Sequence, residues 1–474
     1  MRIFKSLFII GLISFGLFGQ AALSEPLFES FIGYSVGSYP IGIASADFNG
    51  DTNPDVVTAN NAASTVSVLL GNGDGSFATR VNYSTGASLN PCFVTTGDMD
   101  GDGQIDIITG GSMGIVIYYG VGDGTFGTAN VYNFGEQVLD VIVADFDNDT
   151  HLDIATSHAV RDSVGIHINN DDSTYATHMV ATGNGTVSLA TGNLDADNYV
   201  DILVGCSQGT VWNLKNDQSG SFVPTEVHIG NLSDPASVAI TDLNGDNIGD
   251  FGVTHAVNDF LFTYLNNGDG TYTIDKSYVL TDNPTNFEFA DINNDSMDDV
   301  LICVGSTNEI EIYLNQGSRV FGLDTAYTVG GTPKGLVFED FDDDGYSDLV
   351  VTSYTTDMAA VLINRLSLIL SIDEINSGNN LPNDFSLEQN YPNPFNPITK
   401  IRFSLPVTSQ VKVEVFNILG QSVRDLIDEK LTAGTKEVSW DGLNNSGAEV
   451  SSGIYFYKIV TENFEDTKKM VLLK

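Results

Sequence analysis

Positive charge is scarce in this chain. Of 474 residues only 19 are Lys or Arg, against 62 Asp and Glu, and the formal charge is −43. Clustered Lys and Arg are what hold a nucleic-acid backbone, so a nucleic-acid partner is excluded. Cysteine is scarce too. Cys92, Cys206 and Cys303 are too few and too scattered for a disulfide framework, and each reads as a small buried hydrophobe in or beside an apolar run. After the first 24 residues no apolar run reaches membrane-spanning length. No segment has a convincing 3.6-residue period, which argues against a helical fold. No nucleophile, acid–base pair or phosphate loop stands at convincing spacing in a fitting context.

Residues 1–24 read as a secretory signal peptide. Arg2 and Lys5 start it, Leu7 to Phe18 form its apolar stretch and Ala22-Leu-Ser24 supply small residues for cleavage. Charge then divides the rest. Residues 25–364 hold 48 acidic and 6 basic side chains, residues 365–474 hold 14 and 11, and the shift marks a domain boundary near residue 365. The expected division is a signal peptide at 1–24, a repeat domain at 25–365, a linker at 366–384 and a second domain at 385–474.

A nine-residue acidic loop recurs seven times in the first domain. Asp or Asn stands at positions one, three, five and nine of every copy. These are Asp47, Asn49, Asp51 and Asp55; Asp98, Asp100, Asp102 and Asp106; Asp145, Asp147, Asp149 and Asp153. Then come Asn193, Asp195, Asp197 and Asp201; Asp242, Asn244, Asp246 and Asp250; Asp291, Asn293, Asp295 and Asp299; and Asp340, Asp342, Asp344 and Asp348. Successive loops start 51, 47, 48, 49, 49 and 49 residues apart, a propeller-blade period. Short apolar runs flank each loop. An alternating run, a Gly-rich turn and an aromatic (Phe77, Phe126, Tyr175, Phe222, Tyr272 or Phe321) follow in six of the repeats. Four short antiparallel strands per period make one blade. The seventh repeat lacks its fourth strand, and Phe28 to Ser38 resembles one. The expected fold is therefore all-β, a seven-bladed propeller closed by its N-terminal strand, since closure removes aggregation-prone edges.

Calcium takes 6–8 oxygen ligands, and a loop with oxygens at one, three, five and nine plus a carbonyl near seven can wrap one ion. Three or four carboxylates in nine residues would repel one another without a cation. The helix-flanked twelve-residue calcium loop is excluded, because position nine is Asp and the flanks are strands. Up to seven structural Ca2+ ions are expected. Loops two, three and seven carry four Asp, and loops two and seven also have Gly at position six (Gly103, Gly345); these two should bind best. Loop four, which begins with Asn193, should bind least.

The loops, with Gly-Asp-Gly-Thr/Ser-Phe behind them, resemble the FG-GAP/VCBS repeat of integrin alpha subunits and many bacterial secreted proteins. The resemblance covers residues 28–364. It implies calcium at the loop positions in a structural role, and no single biochemical activity.

The last 90 residues show about seven short strand signals, which suggests a small immunoglobulin-like sandwich. Tyr391-Pro-Asn-Pro-Phe-Asn-Pro, Val415-Phe-Asn-Ile-Leu-Gly-Gln421, Trp440-Asp-Gly442, Ser452-Gly-Ile-Tyr-Phe456 and the basic, apolar tail closely resemble the type A sorting domain of the type IX secretion system. That implies a bacterial protein, the type IX machinery as a partner, and release or attachment at the outer-membrane surface.

Two function classes stay open. One is a non-catalytic calcium-binding module, a monomer, that holds an extracellular protein or glycan. The other is a secreted calcium-dependent polysaccharide lyase or hydrolase. Near-equal blade lengths leave no room for an inserted catalytic element, which favours binding. His158 and His255 share one place in their blades and read as ordinary polar positions.

Overall fold

A computed structural model describes residues 26–474, apart from 87–88, 172–173, 196, 198, 228–234, 368, 370–384, 462–463 and 474. The expected signal peptide and most of the expected linker lie outside the described residues. Two compact units emerge, 1–369 and 370–474.

The first unit is built of seven four-stranded antiparallel sheets. Blade one runs through Pro40–Ala46, Asp55–Asn60, Thr65–Leu69 and Val81–Ser84. Blades two to six repeat this order and begin at Phe93, Val141, Thr186, Pro235 and Pro284. Blade seven takes Pro333–Glu339, Asp348–Ser353 and Met358–Leu362 from the end of the unit, and its fourth strand is Ile32–Ser35. Ile32 pairs with Val361 and Ser35 with Met358, and Phe28 bridges to Asn364. The N-terminal strand thus shuts the ring.

Burial follows strand position. Every residue of the second strand of each blade is buried. The core lies between neighbouring blades: Val57, Val66 and Val68 of blade one pack with Ile107, Val116 and Tyr118 of blade two. Outer strands such as Val81–Ser84 and Asn130–Asn133 are mostly exposed, as one-sided antiparallel sheet edges are.

The second unit has a three-stranded sheet (Ser386–Leu387, Thr399–Leu405, Gly434–Trp440) and a four-stranded one (Ser422–Leu431, Ser409–Asn417, Gly453–Val460, Glu465–Leu472). Alternate residues of the two sheets, Ile401, Phe403 and Leu405 with Val411, Val413, Val415, Tyr457 and Ile459, share one core. Trp440 is fully buried, and its indole N–H donates to the Leu443 carbonyl at 2.9 Å.

Among the described residues no helix is long and apolar enough to cross a membrane. All three cysteines are free; Cys206 and Cys303 are buried, whereas Cys92 is half-buried beside the Asn61 amide.

Candidate metal centres

Each acidic loop joins the first strand of its blade to the second, and position nine is the first residue of that second strand. Backbone N–H groups fix the loop from inside. In six loops the position-one carboxylate accepts the N–H of position six at 2.7–2.9 Å. In all seven the position-five carboxylate accepts the N–H of position seven at 2.8–3.0 Å. The chain turns through left-handed backbone at position six, with φ of 74° at Thr52, 84° at Gly103, 79° at Thr150, 64° at Asn247, 67° at Ser296 and 89° at Gly345. Glycine adopts this without strain and a β-branched threonine does not.

Position nine has a second task that spacing alone did not reveal. Its Oδ2 accepts the N–H of position two, for example Met99 at 2.7 Å and Phe146 at 2.8 Å. Its Oδ1 accepts an N–H at the end of the third strand (Gly71, Gly120, Asn169, Asn216, Asn266, Asn315 or Asn364) at 2.7–2.8 Å in every blade. The carboxylate therefore ties loop, second strand and third strand together. Burial, aided by the other loop carboxylates and opposed by these bonds, raises Asp55, Asp106, Asp153, Asp201 and Asp250 to about 6 and Asp299 and Asp348 to about 7. A buried carboxylate under such strain is stabilised by a nearby cation.

The loops also lock blade to blade. Asn169, Asn216, Asn266 and Asn364 send a side-chain N–H to the position-two carbonyl of the preceding blade (Met99, Phe146, Leu194, Ile292) at 2.7–3.0 Å. The turn glycines Gly75 and Gly124 do the same with their backbone N–H, to Phe341 and Phe48. Beside these bonds the position-two rings Phe341, Phe48 and Phe146 meet Phe77, Phe126 and Phe222 edge-on, with centroids 5.3–5.4 Å apart.

The donor sets are unequal. In loop two Asp98, Asp100 and Asp106, in loop three Asp145, Asp147 and Asp153, and in loop seven Asp340, Asp342 and Asp344 bring carboxylate oxygens within 4.8 Å of one another. Oxygen-only sets of this density fit a hard cation. In loops one and five the Asn at position three donates its amide to the Asp at five, at 3.1 and 3.0 Å, so part of the charge is answered internally. Loop six keeps Asp291, Asn293, Asp295 and Asp299 in the same pattern of backbone bonds. Loop four departs. Asn193 Nδ2 donates to the Asp197 carbonyl at 2.6 Å, and the Lys215 ammonium sits on Asp195.

His158 and His255 are fully buried. Glu136 and His167, which spacing did not single out, join His158 in a chain. Glu136 Oε1 lies 3.1 Å from His158 Nδ1, the Thr156 hydroxyl lies 2.8 Å from His158 Nε2 and 2.9 Å from His167 Nε2, and His167 Nδ1 lies 2.9 Å from Thr177. An acid–imidazole–hydroxyl order is the order of a nucleophile relay, but Thr156 is buried completely and offers its oxygen to no surface. Gly110-Gly-Ser112-Met-Gly114 has the spacing of a nucleophile elbow, yet it turns from the second strand of blade two into the third, with no helix behind it.

The FG-GAP-like repeat family matches residues 47–109, 98–156, 193–253 and 291–351, and the secretion system C-terminal sorting domain matches 389–473. No curated protein matches the chain. The crystal structure of BBS1N in complex with ARL6DN, soaked with lead, is similar at a TM-score of 0.53 and 12% identity, over 72% of this chain and 98% of that one. At that identity the likeness concerns the fold. An Agrocybe aegerita lectin that recognises non-reducing terminal N-acetylglucosamine superposes at 0.47 with 19% identity (70% and 97% covered). PorZ, a surface component of the Porphyromonas gingivalis type IX secretion system, superposes at 0.45 with 14% identity (89% and 58%).

Proposed function

We propose that this chain, a bacterial FG-GAP-repeat β-propeller protein that carries a type IX C-terminal sorting domain and is secreted or held at the cell surface, is a calcium-stiffened, non-catalytic binding module. The observation that carries the calcium reading is the position-nine carboxylate. It is buried in every blade, clamps two strands, and in loops two and three lies with two further carboxylates inside 4.8 Å. A calcium ion there would offset two of the loop's three or four negative charges and stiffen the seam to the next blade at once. Loops two and seven are the strongest sites of this reading; loop three also gathers three carboxylates, but His151 Nδ1 stands 3.2 Å from its Asp149.

The binding surface is assigned to the opposite end of the blades, where the second strands turn into the third. Those turns differ from blade to blade, as a recognition surface must and a structural one need not. Met113, Val160 and Val257 are exposed there, and Tyr39 stacks on Tyr354 with centroids 4.7 Å apart. The ligand class is an extracellular protein or a glycan.

A glycan array and a surface-protein panel, run in calcium beside a polysaccharide-cleavage screen, test this reading. Retention of a ligand without turnover is expected. Turnover of a polymer without retention would overturn it. Chelation by EDTA should lower the melting temperature of the propeller, and no calcium in the dialysed protein at about 1 mM, where extracellular modules bind, would defeat the metal assignment.

A further inference from the structure

One side chain breaks the repeat at the metal loops. The residue just before the end of the third strand, whose neighbour donates its N–H to the position-nine Asp, is apolar or aromatic in six blades: Leu70, Tyr119, Ile168, Leu265, Leu314 and Ile363. Three of these, Ile363, Leu70 and Ile168, lie under the turn glycine of the following blade (Gly75, Gly124 and Gly220). Blade four has Lys215 instead. Its ammonium pairs with Asp195 at loop position three, and Asp195, Asp197 and Asp201 are the carboxylates whose charge acts on it. One basic residue among only six in the propeller has been set on one of its seven acidic loops.

Loop four differs at position one as well. In the other six loops Asp stands there and accepts the N–H of position six. Asn193 instead turns its amide donor onto the Asp197 carbonyl. The ammonium occupies a position-three carboxylate that a calcium ion would require as a ligand, and Asn193 leaves the loop one carboxylate short. Two side chains thus lower the negative charge of this loop from within the chain, Asn193 by replacing a carboxylate and Lys215 by pairing with one.

We propose that Lys215 is the built-in cation of loop four, so that this loop holds its shape without a metal and the ring exchanges calcium at the other loops only. The proposal rests on the calcium reading of those loops. It gives the ring one seam whose order is independent of the calcium concentration outside the cell.

The test is a calcium count on the whole mature chain by equilibrium dialysis and elemental analysis, with calcium at about 1 mM. Asn193→Asp combined with Lys215→Leu rebuilds the four-carboxylate pattern and the apolar residue of the other blades. This variant should bind one more ion per chain than the natural sequence, and Lys215→Arg, which keeps the charge, should bind none extra. An equal count for the natural chain and the double variant overturns the proposal. A natural chain with no calcium at all overturns the calcium reading itself, so the two failures are told apart. Should the double variant not fold, hydrogen exchange on the natural chain decides. Addition of calcium to EDTA-treated protein should slow exchange at 98–106 and 340–348 and leave 193–201 unchanged; slowing at 193–201 equal to that at 98–106 overturns the proposal.

Discussion

Replacing Asp106 by Asn separates the two tasks of the position-nine carboxylate. Asp106 is 1% exposed, and its two oxygens take the Met99 N–H at 2.7 Å and the Gly120 N–H at 2.8 Å. An amide nitrogen in place of one oxygen faces a donor. One bond to a charged group, about 1.5–3 kcal/mol, is lost and a buried N–H is stranded, for a combined cost of about 3 kcal/mol. The loss of charge also relieves repulsion from Asp98 and Asp100, which helps to hold Asp106 at about 6. Without a cation the net cost should then fall to about 2 kcal/mol. With calcium the variant loses a ligand instead of a repulsion, and the cost should rise to about 4 kcal/mol. Calorimetry in EDTA and in calcium reads both, at about 1–2 °C per kcal/mol for a unit of this size. A melting point within about 1 °C of the natural chain in EDTA would refute the clamp. An equal loss in both buffers would refute Asp106 as a calcium ligand while leaving the clamp intact.

Three further outcomes are expected. Thr150→Gly should raise stability by about 1 kcal/mol in either buffer, because Thr150 holds φ of 79°, a left-handed conformation costly to a β-branched residue; an unchanged or lower melting point would count against it. Asn216→Ala removes bonds to the Phe146 carbonyl at 2.7 Å and the Val200 carbonyl at 3.2 Å, and calorimetry should show a loss of about 2 kcal/mol; no loss would show that the seam between blades three and four is held by packing alone. Burial, and then the charge of Asp140, raises Glu288 from 4.5 to about 7. The folded chain therefore keeps a proton that the unfolded chain releases, so this contribution is present below about pH 4.5 and is lost as pH rises toward 7. Glu288→Gln should flatten that fall by about 1 kcal/mol, after allowance for partial exposure, in urea unfolding at pH 5 and pH 7; identical pH profiles would refute it.

Blade number and closure were legible because they rest on local facts. An Asx loop at a period near 49 residues needs no knowledge of partners, and a repeat short of one strand points to the end that supplies it. The staples were hidden. Asn169 and Met99 are 70 residues apart, and nothing in either segment says which carbonyl an asparagine will meet. The chain Glu136, His158, Thr156, His167 was unreadable for the same reason, since strand pairing of Thr156 with Gly165 places residues that spacing leaves unrelated. Loop four was marked by Asn193 alone. Lys215 stood outside the nine-residue window, and its offset from the position-nine Asp is 14 residues where the corresponding offset in most blades is 15, so only the third-strand bond aligns it.

The joining of Ile32 to Val361 also has a consequence for assembly. Bringing together chain ends more than 300 residues apart in a coil would cost about 5 kcal/mol in loop-closure entropy. Once six blades have stacked into an arc, the same ends are neighbours and most of that cost has been met by contacts already made. Ring completion should therefore be the last event of folding and the first to be undone. A pulse of hydrogen exchange during refolding should find residues 32–35 and 358–362 protected after the rest of the propeller. Until that moment blade seven presents an unpaired edge, and the interval before the latch closes is when this protein is most exposed to a second copy of itself.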